Sequence, residues 1–151
     1  MSDVEMPRKE VPPPAELVKS RIEEVLPPAV TEQVQAGEVA VIDTRDPDKF
    51  ALGHIPDAVN VPAGENGVGS HAPQFAERIA EATGGKPALL YCNSGNRSAR
   101  ATDALTNEHG VEGVRSLVGG IKLWDDLGYP VEGIIAADAE EVDEAEGDGE
   151  G

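Results

Sequence analysis

Four short apolar runs punctuate the chain, at residues 39–42 (VAVI), 58–61 (AVNV), 87–91 (PALLY) and 114–118 (VRSLV). Their brevity and their Gly, Pro, Asp and Asn borders predict β-strands. Between them lie polar segments with apolar residues at helical spacing. Residues 73–83 put Phe75, Ile79 and Ala82 on one face and end at Gly84-Gly85. Residues 97–109 read as a helix by pattern, and 121–127 as a last short one. Upstream, Leu17, Val18, Ile22, Val25 and Leu26 predict an amphipathic helix over 15–26, stopped by Pro27 and Pro28. That helix is expected to pack on the domain or to dock elsewhere. Residues 31–36 predict another, closed by Gly37, and the stretch between the first two strands reads as a turn-rich passage.

Apolar runs alternating with amphipathic helices predict an α/β fold of three layers, a mainly parallel central sheet flanked by helices and linked by right-handed crossovers. The expected organisation is a disordered lead over 1–14, an N-terminal helix over 15–27, the folded domain over 28–135 and a disordered acidic tail over 136–151. No internal repeat is visible. In such sheets ligands sit beyond the carboxyl ends of the strands.

Charge narrows the choice of partners. The net charge is −17, and eight of the acids lie in residues 136–151 without a base, which leaves −9 for residues 1–135. A chain of this sign repels nucleic acid and anionic membranes, so neither is expected as a partner. The acid excess fits a high-salt cytoplasm or a merely soluble acidic protein. A single cysteine cannot form an intramolecular disulfide, the N-terminal residues have no apolar stretch of signal-peptide length, and no segment is apolar enough to span a membrane. The expected setting is therefore cytoplasmic.

That one cysteine, Cys92, stands where the third apolar run stops and the polar stretch Asn93, Ser94, Gly95, Asn96 begins. A lone cysteine is ordinarily a small buried hydrophobe. Here it ends a predicted strand and precedes a predicted helix that opens with Arg97 and Ser98. A tight loop between the two would turn successive amides toward the sulfur, and the helix N-terminus and Arg97 would add positive charge, so that a nucleophilic thiolate is expected. Gly95 suits the reversal of the chain, and Asn96 and Ser98 are candidate helix caps.

At these residues the sequence resembles the rhodanese-like sulfurtransferases in their single-domain form. Val41-Ile-Asp43-Thr-Arg45 is similar to the family's strand ending in Asp-x-Arg, and Phe50 with Gly53-His-Ile-Pro-Asp-Ala-Val-Asn-Val-Pro62 to its Gly-His-Ile stretch. The run from Cys92 to Ser98 resembles the active-site loop. Val118-Gly-Gly-Ile-Lys-Leu-Trp124 and Gly128-Tyr-Pro-Val131 resemble the closing segments. The motifs run in order over about residues 28–132.

The resemblance implies that Cys92 takes a sulfane sulfur from thiosulfate or a persulfide, and that the loop amides from Asn93 to Ser98 stabilise the persulfide. Cyanide or another thiol would collect it, with a protein donor or acceptor as a further option. No cofactor or metal is implied, and His54, His71 and His109 lack ligand-like spacing. His54 is read as structural. Asp43 and Arg45 are weighed two ways, as a pair that fixes loops and with Arg45 on the pocket rim. Arg100 reads as a solvated helix charge, Trp124 as a core anchor, and residues 63–72 as a flexible loop that overhangs the site.

Two rivals stand beside the transferase. A cysteine phosphatase, arsenate reductases included, uses a similar thiolate cradle, but four residues separate Cys92 from Arg97, one fewer than in phosphatases resembling this fold. A sulfur-relay or regulatory binding module that takes persulfide from a partner protein is the other, with the N-terminal helix and the acidic tail as docking elements.

Overall fold

The computed structural model describes residues 14–133. The predicted lead, apart from Pro14, and the acidic tail lie outside them. Five strands, β1 (Glu24–Val25), β2 (Ala40–Asp43), β3 (Val59–Asn60), β4 (Ala88–Tyr91) and β5 (Val114–Leu117), form one sheet in the order β1-β5-β4-β2-β3. Every pair is parallel. The chain passes from β2 outward to β3 and then returns to β4 on the other side of β2. The loops after β2 and β4 therefore diverge, and the crevice between them is where such a sheet receives a ligand.

The helices divide between the faces by the alternation of the strands. On one face Val41, Leu89, Tyr91 and Leu117 pack with Val30 and Val34 of α2 (Pro27–Gln35) and with Ile121 and Trp124 of α6 (Gly120–Asp126). On the other, Ile42, Leu90 and Val114 meet Phe75 and Ile79 of α4 (Pro73–Thr83) and Ala101 of α5 (Asn96–Asp103). β4 is buried throughout, which explains an apolar run without alternation. Gly84 ends α4 in the left-handed conformation, with φ 58°.

The N-terminal segment departs from the expected helix over 15–27. α1 spans Ala15–Lys19, where Ser20 Oγ turns back to donate to the Leu17 carbonyl at 2.7 Å. The chain then extends, and β5 recruits it as an edge partner: Ser116 N donates to Glu23 O at 3.0 Å and Val118 N to Val25 O at 2.9 Å. Pro27 and Pro28 begin α2 rather than ending the preceding helix, because the first helical turn needs no amide donors. A further helix, α3 (Pro47–Leu52), occupies part of the turn-rich passage. Residues 65–71 coil as 3-10 turns, and the helix predicted over 97–109 widens after α5 into a π-helical turn at Ala104–Glu108. Among the described residues no helix is long and apolar enough to cross a membrane.

Candidate active site

Cys92 follows β4 at the crevice between β4 and β2, with 3 % of its surface exposed. Its Sγ accepts hydrogen bonds from the backbone amides of Gly95 at 3.1 Å and Ser98 at 3.3 Å, and lies 3.6 Å from Ser98 Oγ. Ser98 is the third residue of α5, whose N-cap is Gly95 with φ 106° and no side-chain cap. Neither Asn96 nor Ser98 caps the helix as expected. The sulfur itself takes the amide that a capping oxygen ordinarily takes, which places it in the positive field of the helix N-terminus.

The loop is clamped from the far side. Ile121 N donates to Cys92 O at 2.9 Å and Lys122 N to Asn93 O at 3.1 Å, so the first turn of α6 holds the carbonyls while α5 holds the sulfur. This approach depends on Gly120, with φ 62°, where a side chain would run into the carbonyl oxygens of Cys92 and Asn93. Gly95 is similarly confined, since a Cβ there would sit 3.1 Å from Gly119 N.

Of the candidate site residues, Gly95 and Ser98 are buried beside the sulfur, Asn93 and Arg97 are partly exposed, and Ser94 and Asn96 face solvent. Arg97 Nη1 lies 3.5 Å from Asp46 Oδ1, across the crevice on the loop after β2. Residues 65–71 do pack beside the site: a Cβ at Gly67 would lie 3.2 Å from the Arg97 carbonyl. Two neighbours were not among the candidate site residues. Ser116 of β5 shares a 2.9 Å hydrogen bond with Ser98 Oγ and had no signal in the sequence, while Gly120, within the closing segment at residues 118–124, supports the loop from behind.

Arg45 and Asp43 form the pair weighed in the sequence. The guanidinium forks onto the fully buried Asp43 carboxylate, with Nε at 3.0 Å and Nη2 at 2.6 Å, and donates to Gly53 O at 2.6 Å. Burial opposes the charge on Arg45, but the Asp43 contacts outweigh it and raise the pKa. Burial, followed by the Asp43 charge, pushes the Tyr91 phenol well above its ordinary range, and its oxygen accepts from Ile55 N at 3.0 Å. The network ties the loop after β2 to the stretch after α3.

The histidines stand in packing and tethering contacts. His54 stacks on Phe50 with ring centroids 3.9 Å apart, its Nδ1 2.8 Å from Phe50 O, and its backbone bridges to Glu132. His71 meets Glu108 at 2.7 Å and His109 meets Ser70 O at 2.9 Å, which fastens the 65–71 coil to the π-helical turn. A cleft of about 200 Å³ lined by Ile79, Thr83, Lys86 and Val114 opens at the start of β4 and β5, the end of the sheet opposite Cys92.

A strand-end cysteine in an amide cradle, on a five-stranded parallel sheet with this order, defines a rhodanese-like domain. The chain belongs to that family: the model of the Rhodanese-like domain matches residues 26–127. A relative from Arabidopsis thaliana, Thiosulfate sulfurtransferase 16, chloroplastic, is 36 % identical over 92 residues, which are 59 % of this chain and 76 % of that one. The Adenylyltransferase and sulfurtransferase MOCS3 of Drosophila ananassae is 30 % identical over 66 % of this chain but only 22 % of its own length. Among solved structures, a Rhodopseudomonas palustris protein of unknown function, described as a possible tyrosine phosphatase, superposes with a TM-score of 0.64 at 26 % identity, covering 85 % of this chain and all of that one.

Proposed function

We propose that the protein is a sulfurtransferase that carries a sulfane sulfur on Cys92. The observation that supports this best is the sulfur's own setting, with two backbone amides aimed at it and the N-terminus of α5 behind them. Fixed donors of this kind stabilise a sulfur anion without any reorganisation. With thiosulfate as donor, the Cys92 thiolate attacks the outer sulfur, the sulfur–sulfur bond breaks, and sulfite leaves with the electron pair. A thiophilic acceptor such as cyanide then attacks the terminal sulfur of the persulfide and regenerates the thiolate. One cysteine suffices for this two-step cycle. Asn93 to Ser98 form the substrate-binding loop, and the reducing cytoplasm suits a thiol kept free.

The loop length supports sulfur over phosphate chemistry, because a ring with one residue fewer encloses a single sulfur atom better than a tetrahedral oxyanion. The test is the intact mass of the protein after incubation with thiosulfate. One added sulfur atom that cyanide removes, absent in Cys92→Ser, is the expected result. Loading by a cysteine desulfurase but not by thiosulfate would make the protein a relay. Hydrolysis of an aryl phosphate without sulfur loading would overturn the reading.

A further inference from the structure

Beyond the amide cradle, a line of buried polar groups leads away from Cys92. Sγ lies 3.6 Å from Ser98 Oγ, and Ser98 Oγ lies 2.9 Å from Ser116 Oγ. Ser116 is paired in register with Glu24 of β1. Side chains paired this way in parallel strands project to the same face, and Ser116 reaches α5, so Glu24 enters the same layer, while Val25 points to the opposite core. Two atoms in this layer are buried without a hydrogen-bond partner, Glu24 Oε2 and Thr102 Oγ1. Thr102 lies one helical turn beyond Ser98 on α5 and is fully buried.

A buried carboxylate oxygen and a buried hydroxyl without partners are costly. Ser116 stands opposite Glu24 in the register of β1 and β5, so the three groups share one layer and offer a water the polar partners it needs. We propose that Glu24, through such a water and the hydroxyls of Ser116 and Ser98, sets the direction of the hydrogen-bond chain that ends on Cys92, and so acts as a positioning residue that decides whether Ser98 Oγ accepts from the sulfur or donates to it. This rests on the sulfurtransferase reading only for its purpose, not for its chemistry.

The reasoning is one of donors and acceptors. An ionised carboxylate only accepts. With Glu24 ionised, the water donates to it, Ser116 donates to the water, and Ser98 donates to Ser116 at 2.9 Å in preference to its longer alternative acceptor, Gly95 O at 3.4 Å. Ser98 Oγ then faces the sulfur as an acceptor and favours the neutral thiol. With Glu24 neutral, the chain reverses and Ser98 O–H donates to the sulfur, a third donor beside the amides of Gly95 and Ser98. Passing one proton from Sγ along the chain to the carboxylate interconverts the two arrangements, with no electrons transferred. Of the other charged groups on the packed elements, Asp103 of α5 binds Arg21 at 2.9 Å, Arg97 faces Asp46 and Arg115 projects to Gln33 on the opposite face, while the Cβ of Arg100 packs beside Gly67. Lys19 and Glu16 belong to α1 and are not fully buried.

The test is the rate of Cys92 alkylation by iodoacetamide across pH, which needs no sulfur transfer. Glu24→Gln keeps the shape and removes the charge, and the pH–rate curve should move to lower pH. At a fixed pH on its rising limb the rate should increase about three- to tenfold. In Ser116→Ala the chain is cut, and adding Glu24→Gln should produce no further change. Thr102→Val should weaken the Glu24→Gln effect by removing a partner of the water. An unchanged curve in Glu24→Gln overturns the proposal. So does a shift that persists in full on the Ser116→Ala background, since that is charge acting through space. A lower melting temperature with an unmoved curve would assign Glu24 a structural role only. Intact-mass loading with thiosulfate is read separately, so failure of sulfur transfer and failure of the chain are distinguishable.

Discussion

The Cys92 carbonyl accepts the Ile121 amide at 2.9 Å, while the Cys92 sulfur accepts the amides of Gly95 and Ser98. One residue is thus held from opposite sides by the first turns of two helices, α6 on its backbone and α5 on its side chain. The cradle is fixed by contacts far apart in the sequence, and its weakest dependency is the glycine that lets α6 come so close.

Gly120→Ala should therefore damage the site more than its distance in sequence from Cys92 suggests. The residue has φ 62°, which costs an L-residue about 1–2 kcal/mol, and the new methyl meets the carbonyl oxygens of Cys92 and Asn93. Thermal melting should show a loss of at least that size. Sulfur loading, followed by intact mass, should fall about tenfold or more in the fraction that stays folded, because a shift near 1 Å misplaces the cradle.

The Asp43–Arg45 pair predicts an asymmetric result. Removing one partner of a buried pair leaves a charge uncompensated, so Arg45→Ala should destabilise the fold by about 3 kcal/mol in denaturant unfolding. Arg45→Lys should not restore stability, because an ammonium cannot serve both the forked carboxylate and Gly53 O. The double change Asp43→Asn with Arg45→Met should cost less than Arg45→Ala alone. A double variant no more stable than the single one would show that the donors to Gly53 O carry the effect.

How far the sequence reveals this structure depends on how local each signal is. α4 occupies residues 73–83 as its apolar face and closing glycine predict, and β4 is the buried run before Cys92. β1 was hidden because Val25 and Leu26 follow Ile22 by three and four residues, a helical spacing, and a two-residue strand has no period of its own; pairing with β5 decides it. α3 was hidden because its six residues include no buried side chain, although Asp46-Pro47 is a helix-start signal. Within the site, Cys92, Gly95 and Ser98 are legible because they lie in one short loop and the helical turn that follows it. Ser116 and Gly120 reach the same place from β5 and the start of α6; Gly120 falls in the closing motif at residues 118–124, but spacing along the chain carries no trace of the Ser116 contact.

The Arg21–Asp103 pair ties the segment after α1 to α5 and gives a pH dependence of definite sign. Burial pushes the Asp103 carboxyl up, but hydrogen bonds from Arg21 and Asn107 outweigh it and hold it below its ordinary value. The folded state therefore binds this proton less readily than the unfolded one. The stabilisation is complete above the ordinary aspartate range, about pH 4, and is lost as pH falls through the lower folded value. Asp103→Asn should lower the melting temperature by a few degrees at neutral pH, and the gap from the parent should close on acidification. A gap independent of pH would mean that packing, not the charge, holds the segment.

Arg97 offers the most direct test of how a dianionic donor is drawn to Cys92. Its guanidinium is partly exposed and lies 3.5 Å from the largely exposed Asp46, a surface contact of little net worth that a dianion can displace. Under the proposed transfer from thiosulfate, Arg97→Ala should raise KM severalfold by removing that attraction. Asp46→Asn should do the reverse, lowering KM by about two- to threefold at low ionic strength, because Arg97 is released from its partner and a negative charge leaves the crevice. Both effects should shrink as salt is added, since exposed charges are screened. Steady-state kinetics of the two variants and their double mutant at low and high salt measure this. If Asp46→Asn lowers KM equally on the Arg97→Ala background, the carboxylate acts by repulsion alone. If it raises KM, Asp46 holds Arg97 in the productive position instead.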